Sequence, residues 1–344
     1  MNPRAAVPAP RTMVWGALTG FAACARSASG ALAPAGIQAE RIHALWQLTL
    51  WVCIVVFAAV LVALGIALAK ARRARSTGGE APAPSDLARP HARRAVTLAT
   101  LVSGALLVAL VVADVLTDRS LSRLPVDDAL HIEMTGYQWW WQARYADDGG
   151  ESFGVSNDLH VPIGRPVVVT LKSVDVIHSF WVPELHGKKD LLPGRTTTIQ
   201  FRADRAGTWR GECAEFCGLQ HALMAFSITA EAPQAFADWR EHQRTSAAPP
   251  VEPAAAAGLR LFLGGHCAQC HTVRGTPAAG TLGPDLTHLA SRATLAAGTV
   301  ANEPAALAAW IVQPQSLKAG ATMPPSRLAP DDVRALVSYL ETLK

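Results

Sequence analysis

The hydrophobic pattern opens with two long apolar runs that lack the polar face of a soluble helix. Residues 48–69 (LTLWVCIVVFAAVLVALGIALA) contain Thr49 as their only polar side chain. A helix rises about 1.5 Å per residue, so a run of this length crosses a hydrocarbon core of about 30 Å. Hydroxyl residues interrupt the second run, residues 95–116, but their side chains can bond back to the helix backbone. The pattern predicts two transmembrane helices, at residues 44–69 and 95–116.

After a polar hinge the pattern changes to short runs of β-branched and aromatic residues, separated by Pro, Gly and Asp. Five such runs occupy residues 131–137, 166–174, 196–201, 207–213 and 224–232. They predict an all-β domain over residues 127–240, an antiparallel sandwich or barrel. Loops at one end of such a fold form a rigid platform for a site.

A stretch rich in Pro and Ala follows at residues 241–256 and predicts a semi-extended linker. Residues 330–343 then start with Pro, carry acidic residues early and repeat apolar residues at helical intervals. They predict a terminal helix that packs on the segment around Leu261 and Phe262. Residues 257–344 are therefore predicted to form a separate, all-α domain.

Charge orients the two predicted membrane helices. The loop between them, residues 70–94, carries seven Lys or Arg against two acids and should stay in the cytoplasm under the positive-inside rule. Both later domains then lie outside, which predicts a multi-pass protein of a bacterial-type plasma (inner) membrane. Arginines ahead of an apolar stretch predict a signal peptide over residues 1–33, with lipid modification at Cys24 as an alternative to ordinary cleavage near 31–33.

Composition narrows the possible chemistry. The chain has 344 residues, half of them hydrophobic, which excludes a disordered protein. Its net charge of +4 is not gathered into a basic patch interleaved with aromatic residues, so nucleic acid is excluded as a partner. Four of the six cysteines form two close pairs, which indicates cofactor binding and not a disulfide framework.

The first cysteine pair lies in GECAEFCGLQHALM, residues 211–224. Zinc accepts thiolate and imidazole but has little use for a thioether, whereas copper accepts all three. Cys213, Cys217, His221 and Met224 therefore favour copper. A mononuclear electron-transfer copper site needs one cysteine, so the second cysteine indicates a second copper.

A binuclear site requires another histidine from elsewhere in the chain. His178 is the best candidate, because it follows a predicted strand whose end can reach the loop, and His160 and His186 are its competitors. The alternatives for the cysteine pair are a structural disulfide, a zinc knuckle and the thiol pair of a copper chaperone.

With residues 173–185 and 193–195, this loop resembles subunit II of haem-copper cytochrome c oxidases, in which a binuclear copper A centre lies on a cupredoxin barrel. The resemblance implies a set of six ligand residues. These are the bridging Cys213 and Cys217, the terminal His178 and His221, and the weak axial Met224 and Glu215 backbone carbonyl.

The same resemblance implies two further roles. The Glu215 carboxylate would help to hold a magnesium ion at the contact with subunit I. Trp139, in GYQWWWQARY at residues 136–145, would be the point where electrons enter. The alternative for this aromatic stretch is a hydrophobic cover over the barrel end near the bilayer.

The second cysteine pair, in the sequence CAQCH, is the signature for covalent haem c. Cys267 and Cys270 would bond the two vinyl groups, and His271 would become the proximal iron ligand. A redox disulfide or half of a zinc site is the alternative. Met323, in GATMPP, is the candidate for the sixth position, with His288 as the runner-up.

The sequence LGPDL, residues 282–286, resembles the class I cytochrome c loop. In that loop the proline carbonyl, here of Pro284, accepts the N–H of the proximal histidine and fixes the orientation of its ring.

The order of the parts resembles the caa3-type subunit II of cytochrome c oxidase. That implies a cytochrome c-type or membrane-complex donor, electron transfer through haem c and copper A to an oxygen-reducing, proton-pumping subunit I, and subunit III as a further partner. A copper-A-containing nitric oxide reductase and a metal-binding assembly or storage protein are the rival hypotheses. Many relatives carry a glutamate and an IWT-P type stretch at the start of the second helix, and both are absent from HARRAVTLATLVSGAL.

Overall fold

The computed structural model describes residues 30–76, 90–121, 124–146 and 152–344. The predicted signal peptide up to residue 29, with Cys24, lies outside the described residues, and so do residues 77–89 of the predicted cytoplasmic loop. The described chain comprises two long helices, a β domain and a helical domain.

The two N-terminal helices are α1 (Ile37–Ser76) and α2 (Pro90–Leu121). Their most apolar windows have mean hydropathies of 3.1 and 2.5 and are unburied within the protein. A helix that is apolar on every face and unburied is unfavourable in water, so both helices fit a bilayer. The Arg41 side chain donates to the Ser120 carbonyl and ties the two helices together where they leave the apolar windows. The predicted hairpin of two apolar helices is confirmed.

The β domain packs two five-stranded sheets. The strands are β1 (Leu130–Tyr137), β2 (Trp140–Tyr145), β3 (Phe153–Ser156), β4 (Asp158–Pro162), β5 (Val167–Ser173), β6 (His178–Trp181), β7 (Lys189–Leu191), β8 (Thr197–Phe201), β9 (Gly207–Cys213) and β10 (Ala225–Glu231). One sheet has the order β3-β2-β1-β5-β8 and the other β4-β10-β9-β6-β7. All five runs that the sequence pattern predicted are strands.

Two strand pairs are parallel, β1 with β5 and β4 with β10, although the pattern predicted an antiparallel fold. The connection from β1 to β5 contains three other strands, and that length lets the chain return to the same sheet in the same direction. Alternation of hydrophobic residues indicates which side of a strand is buried. It does not indicate whether the strand runs parallel or antiparallel to its neighbour.

The aromatic stretch at residues 136–145 contributes to the core and does not only cover one end of the barrel. Trp141, Ala143 and Tyr145 point inward from β2 and are at most 1% exposed. Full burial of a large apolar side chain contributes about 1.5–3 kcal/mol. Trp140 faces the other way and stacks on Tyr137 at 4.4 Å between ring centroids.

The helical part begins with α3 (Pro233–Arg244), which follows the second sheet. The remaining elements are α4 (Pro253–Gly264), α5 (Cys267–Cys270), β11 (Thr294–Leu295), β12 (Val300–Ala301), α6 (Pro304–Val312), α7 (Pro314–Leu317) and α8 (Pro330–Leu340). We call residues 253–344 the haem domain and residues 130–231 the copper domain.

The terminal helix α8 packs on α4, as predicted. The rings of Phe262 and Tyr339 lie 5.8 Å apart between centroids. At Gly258 a Cβ would lie 2.0 Å from the Ala335 carbonyl oxygen, so the helices cross in backbone contact that only glycine permits.

The extended segment between the two domains covers residues 245–252, because α3 runs to Arg244 and α4 begins at Pro253. The Ala247 amide donates to the Arg274 carbonyl at 2.9 Å. The linker is therefore bound to the surface of the haem domain.

Candidate metal centres

One loop of the copper domain carries most of the predicted copper ligands. Cys213 ends β9, and its amide donates to the Met224 carbonyl at 3.0 Å, which closes the loop at its base. A turn of 3₁₀ helix, His221–Leu223, lies just before Met224. His178 comes from the neighbouring strand β6, whose residue Phe180 pairs with Cys213. The sheet register therefore brings a residue 35 positions away to the loop.

The soft donor atoms converge on the two cysteines. The Sγ atoms of Cys213 and Cys217 lie 3.8 Å apart. Nδ1 of His178 lies 3.8 Å from Sγ of Cys213, and Nδ1 of His221 lies 3.6 Å from Sγ of Cys217. Sδ of Met224 lies 3.8 Å from Sγ of Cys217. Each cysteine thus faces one histidine nitrogen, and the thioether completes the cluster.

Glu215 contributes two different groups. Its backbone carbonyl oxygen lies 3.2 Å from Sγ of Cys213, inside the cluster. Glu215 as a whole is exposed, so its carboxylate is available to a partner or an ion outside the loop. The structure places the carbonyl with the predicted copper ligands and the carboxylate at the surface.

Asp175 orients His178 and was not predicted from the sequence. Its Oδ1 lies 2.8 Å from Nε2 of His178, which leaves Nδ1 for the sulfur cluster. Burial lowers the pKa of His178, but hydrogen bonds with Cys213 and Asp175 outweigh it, and the net shift is upward. A carboxylate on the far nitrogen of a metal-binding histidine fixes the ring and raises its basicity.

The Cys217 carbonyl oxygen is held from outside the loop. The indole Nε1 of Trp139 donates to it at 3.0 Å, and Nε2 of Gln138 donates at 2.7 Å. Trp139 is partly buried and packs against the core of the copper domain. The predicted electron-accepting residue is therefore in direct contact with the backbone of a cysteine in the cluster.

The two thiols of the cluster differ in acidity. The hydrogen bond between the sulfur atoms lowers the pKa of Cys213 and raises the pKa of Cys217. Sulfur atoms 3.8 Å apart are not in a disulfide, which requires about 2.05 Å. Two buried thiols, two imidazoles and a thioether within reach of one another fit copper better than zinc.

The competing histidines serve other contacts. His160 accepts or donates at Nδ1 with Glu231 at 2.9 Å and stacks on Trp239 at 4.3 Å between centroids. Burial lowers the pKa of His186, and its neighbour Gly187 lies against Ile42 of α1. Neither histidine belongs to the buried donor cluster of His178, Cys213 and Cys217, whose ligand atoms all lie within 4.8 Å of one another.

The predicted haem-binding residues lie on and beside the short helix α5. Cys267 and Cys270 are its first and last residues, and both are free thiols. Nδ1 of His271 lies 2.8 Å from the Pro284 carbonyl oxygen, which leaves Nε2 for iron. Burial lowers the pKa of His271, although the bond to Pro284 opposes this, so the imidazole is neutral and able to ligate a metal. This donor set fits covalent haem.

The two candidates for the sixth ligand differ in their surroundings. Met323 is partly buried and packs against the core of the haem domain. His288, the runner-up, is only 5% exposed. Its ring nitrogens contact the Lys344 carbonyl at 2.7 Å and the Thr245 carbonyl at 3.2 Å. Both nitrogens of His288 are thus engaged, because the chain terminus and the linker pass over it.

The β domain buries a set of soft metal donors. The same chain carries a cytochrome-type domain and two helices that fit a bilayer. Together these features define a membrane-bound redox protein. The family model "Cytochrome C oxidase subunit II, periplasmic domain" matches residues 149–231, and the model "Cytochrome c" matches residues 255–344. The chain is 35% identical over 321 residues to cytochrome c oxidase subunit 2 of Alkalihalophilus pseudofirmus, covering 91% of this chain and 90% of that protein. The chain therefore belongs to the cytochrome c oxidase subunit II family.

A second relative agrees with this assignment. The chain is 31% identical over 229 residues to cytochrome c oxidase subunit 2 of Bacillus subtilis, covering 63% of each protein. The crystal structure of the periplasmic domain of subunit II from Bradyrhizobium japonicum is 32% identical, covers 35% of this chain and 97% of that chain, and has a TM-score of 0.33. The predicted family, with a cytochrome c domain after the copper domain, is confirmed.

Proposed function

We propose that the chain is the subunit II of a haem-copper terminal oxidase through which electrons enter the complex. When bound, haem c and copper A supply one-electron transfer between a donor and subunit I. The single observation that carries this proposal is the buried cluster of His178, Cys213 and Cys217, on a domain fused to a CxxCH domain. The relatives are named as oxidase subunits, which disfavours the nitric oxide reductase alternative.

Contacts from outside the loop hold the proposed copper ligands in place. Cys213, Cys217, His178, His221, Met224 and the Glu215 carbonyl would hold the two coppers. The sheet register, the bond from Asp175 and the donors to the Cys217 carbonyl fix these groups. Rigid ligands oppose geometric change when the charge on a metal changes, and this lowers the reorganisation that each transfer must overcome.

The haem domain would bind its cofactor through Cys267 and Cys270, and His271 and Met323 would ligate the iron. The Pro284 carbonyl keeps the His271 ring in one orientation and one tautomer. Thioether ligation raises the potential of the iron and suits an electron carrier.

The surroundings of the two domains are also part of the proposal. Subunit I takes the electrons, and the exposed Glu215 carboxylate would share a magnesium ion with it. Subunit III and a cytochrome c-type or membrane-complex donor complete the set of partners. The copper and haem domains lie outside a bacterial-type plasma membrane. The predicted signal peptide over residues 1–33 is removed, or the chain is instead lipidated at Cys24.

Metal analysis of the purified full chain tests the proposal. We expect two coppers and one iron per chain, with haem that stays attached on a denaturing gel. Cys217→Ser should lose copper and keep haem, whereas Cys53→Ser, which alters a cysteine of α1, should keep both. Zinc in place of copper, or metal that exchanges freely with no attached haem, would instead indicate an assembly or storage protein.

A further inference from the structure

The haem domain is docked on the copper domain beside the copper-ligand loop. The Ala225 amide, next to Met224, donates to the Ala297 carbonyl at 3.0 Å. The Gln220 side chain donates to the Ala319 carbonyl. Both bonds join residues of the loop or its flank to the haem domain, so the docked surface is continuous with the copper site.

The turn that receives the copper domain has an uncommon backbone. Ala296, Ala297 and Gly298 have φ values of 52°, 59° and 77°, and residues with a Cβ rarely adopt this left-handed region. All three carbonyls accept a hydrogen bond. Ala225 donates to the second, and the Arg210 side chain of the copper domain donates to the third at 3.3 Å. Backbone in a disfavoured region persists where surrounding contacts require it, and here two of those contacts come from the other domain.

Lys318 joins the turn to the copper domain. Its ammonium donates to the Trp139 carbonyl at 2.7 Å, the Leu223 carbonyl at 2.8 Å and the Ala296 carbonyl at 3.0 Å. Two of these acceptors belong to the copper domain and one to the haem domain, and the lysine is only 3% exposed. Burial lowers the pKa of Lys318 to about 7, and the charge interaction with Cys217 opposes this shift.

In the docked arrangement the haem domain lies against Trp139 of the copper domain. A Cβ at Gly320 would lie 3.6 Å from Cη2 of Trp139, so the two residues are adjacent. Gly320 precedes the predicted iron ligand Met323 by three residues, and Trp139 donates to the Cys217 carbonyl. A chain of contacts therefore leads from the haem-ligand loop through Trp139 to the copper-ligand loop.

We propose that Lys318 and the left-handed turn Ala296–Gly298 lock the haem domain onto the Trp139 surface and so fix the position of the haem domain for electron transfer to the copper domain. Lys318 is a positioning residue in this scheme. The inference rests on the proposed function, because it concerns the path of an electron from the haem group to the copper pair. The haem group loses one electron and the copper pair gains it, with no bond broken and no proton moved.

The Ala225 amide provides a local measure of docking. Its acceptor is the Ala297 carbonyl of the other domain, so undocking should expose this amide while the core of each domain stays folded. Hydrogen exchange of the purified oxidase, resolved at single residues, would compare Lys318→Met with wild type. Lys188→Met, at an exposed lysine of the copper domain, is the matched control.

We expect exchange at Ala225 to be at least tenfold faster in Lys318→Met and unchanged in Lys188→Met. Exchange at Leu336 in α8 should stay at the wild-type rate, which separates undocking from unfolding. One-electron equilibration between the haem and copper absorption bands, after partial reduction, should slow in the same variant. Equal protection of Ala225 in both lysine variants would overturn the proposal.

A second variant covers the case in which Lys318→Met does not fold. Arg210→Gln removes the bond to the Gly298 carbonyl from the copper side, and we expect several-fold faster exchange at Ala225. No change in that variant would also overturn the proposal. Metal analysis tests the copper assignment, whereas the exchange comparison between variants of equal metal content tests docking, so the two failures would be distinguishable.

Discussion

Gly136 leaves space for the ring of His178, a proposed copper ligand, because glycine has no side chain. A Cβ at this position in β1 would lie 2.8 Å from Cδ2 and 3.2 Å from Cγ of His178, and 3.3 Å from Cδ2 of Leu191. Carbon atoms in contact normally lie about 3.5–4.0 Å apart, so Gly136→Ala would force the imidazole to move by about 0.7 Å. His178 is fully buried and bound to Asp175 at 2.8 Å, so it has little room to move.

We expect Gly136→Ala to lower the free energy of unfolding by about 1–3 kcal/mol, the usual cost of overpacking, and to reduce copper binding. Urea unfolding and copper-to-protein ratios of the purified chain would measure the two effects. Gly154→Ala is the matched control, because a Cβ there would meet its nearest atom, Nε2 of Gln142, at an ordinary 3.5 Å. If Gly136→Ala binds copper as Gly154→Ala does, with equal stability, the assignment of His178 as a rigidly packed ligand is wrong.

Three further predictions follow from contacts around the two sites. Gly283→Ala should displace the proximal histidine, because its Cβ would lie 2.6 Å from the ring, and should alter the haem absorption spectrum. Gly264→Ala, whose Cβ would meet nothing within 4 Å, should not, and identical spectra would contradict the reasoning. Asp175→Asn should weaken copper affinity by about 10–100-fold in a chelator competition, as loss of an orienting carboxylate usually does; unchanged affinity would refute its role. His288→Gln should lose less stability than wild type between pH 7 and 5. Burial lowers the pKa of His288 in the fold, so below about 6.5 the unfolded chain binds the proton more readily; parallel pH profiles would refute this.

Local spacing explains why the ligand loop could be predicted. Cys213, Cys217, His221 and Met224 lie within twelve positions, and the loop closes on itself between the ends of β9 and β10. Ligands so close in sequence must meet whatever the rest of the fold does. The same holds for the CxxCH sequence, where a single short helix presents both thiols.

Other contacts around these ligands join residues far apart in sequence. Trp139 reaches the Cys217 carbonyl across 78 positions, and Lys318 reaches the Trp139 carbonyl across 179. A polar side chain whose acceptors are backbone carbonyls leaves no pattern in the sequence, since any residue supplies a carbonyl. The docking of the two domains was therefore not predictable.

Short or uniformly buried strands were missed for a different reason. Three of the four residues of β6 are buried, so the strand lacks the alternation that marks one-sided burial. Three successive tryptophans, residues 139–141, lead into β2 and conceal an alternation in which Trp141 points inward and Trp140 outward. Hydrophobicity alone does not distinguish these two positions.

Electron paramagnetic resonance of the oxidised, copper-loaded full chain tests the central claim most directly. One unpaired electron shared by two equivalent copper nuclei gives a hyperfine pattern that a single copper does not. The account predicts this shared pattern, its loss in Cys217→Ser and its retention in Cys53→Ser. A spectrum of one isolated copper with both cysteines intact would contradict the binuclear site, and with it the proposed route of electrons through this chain.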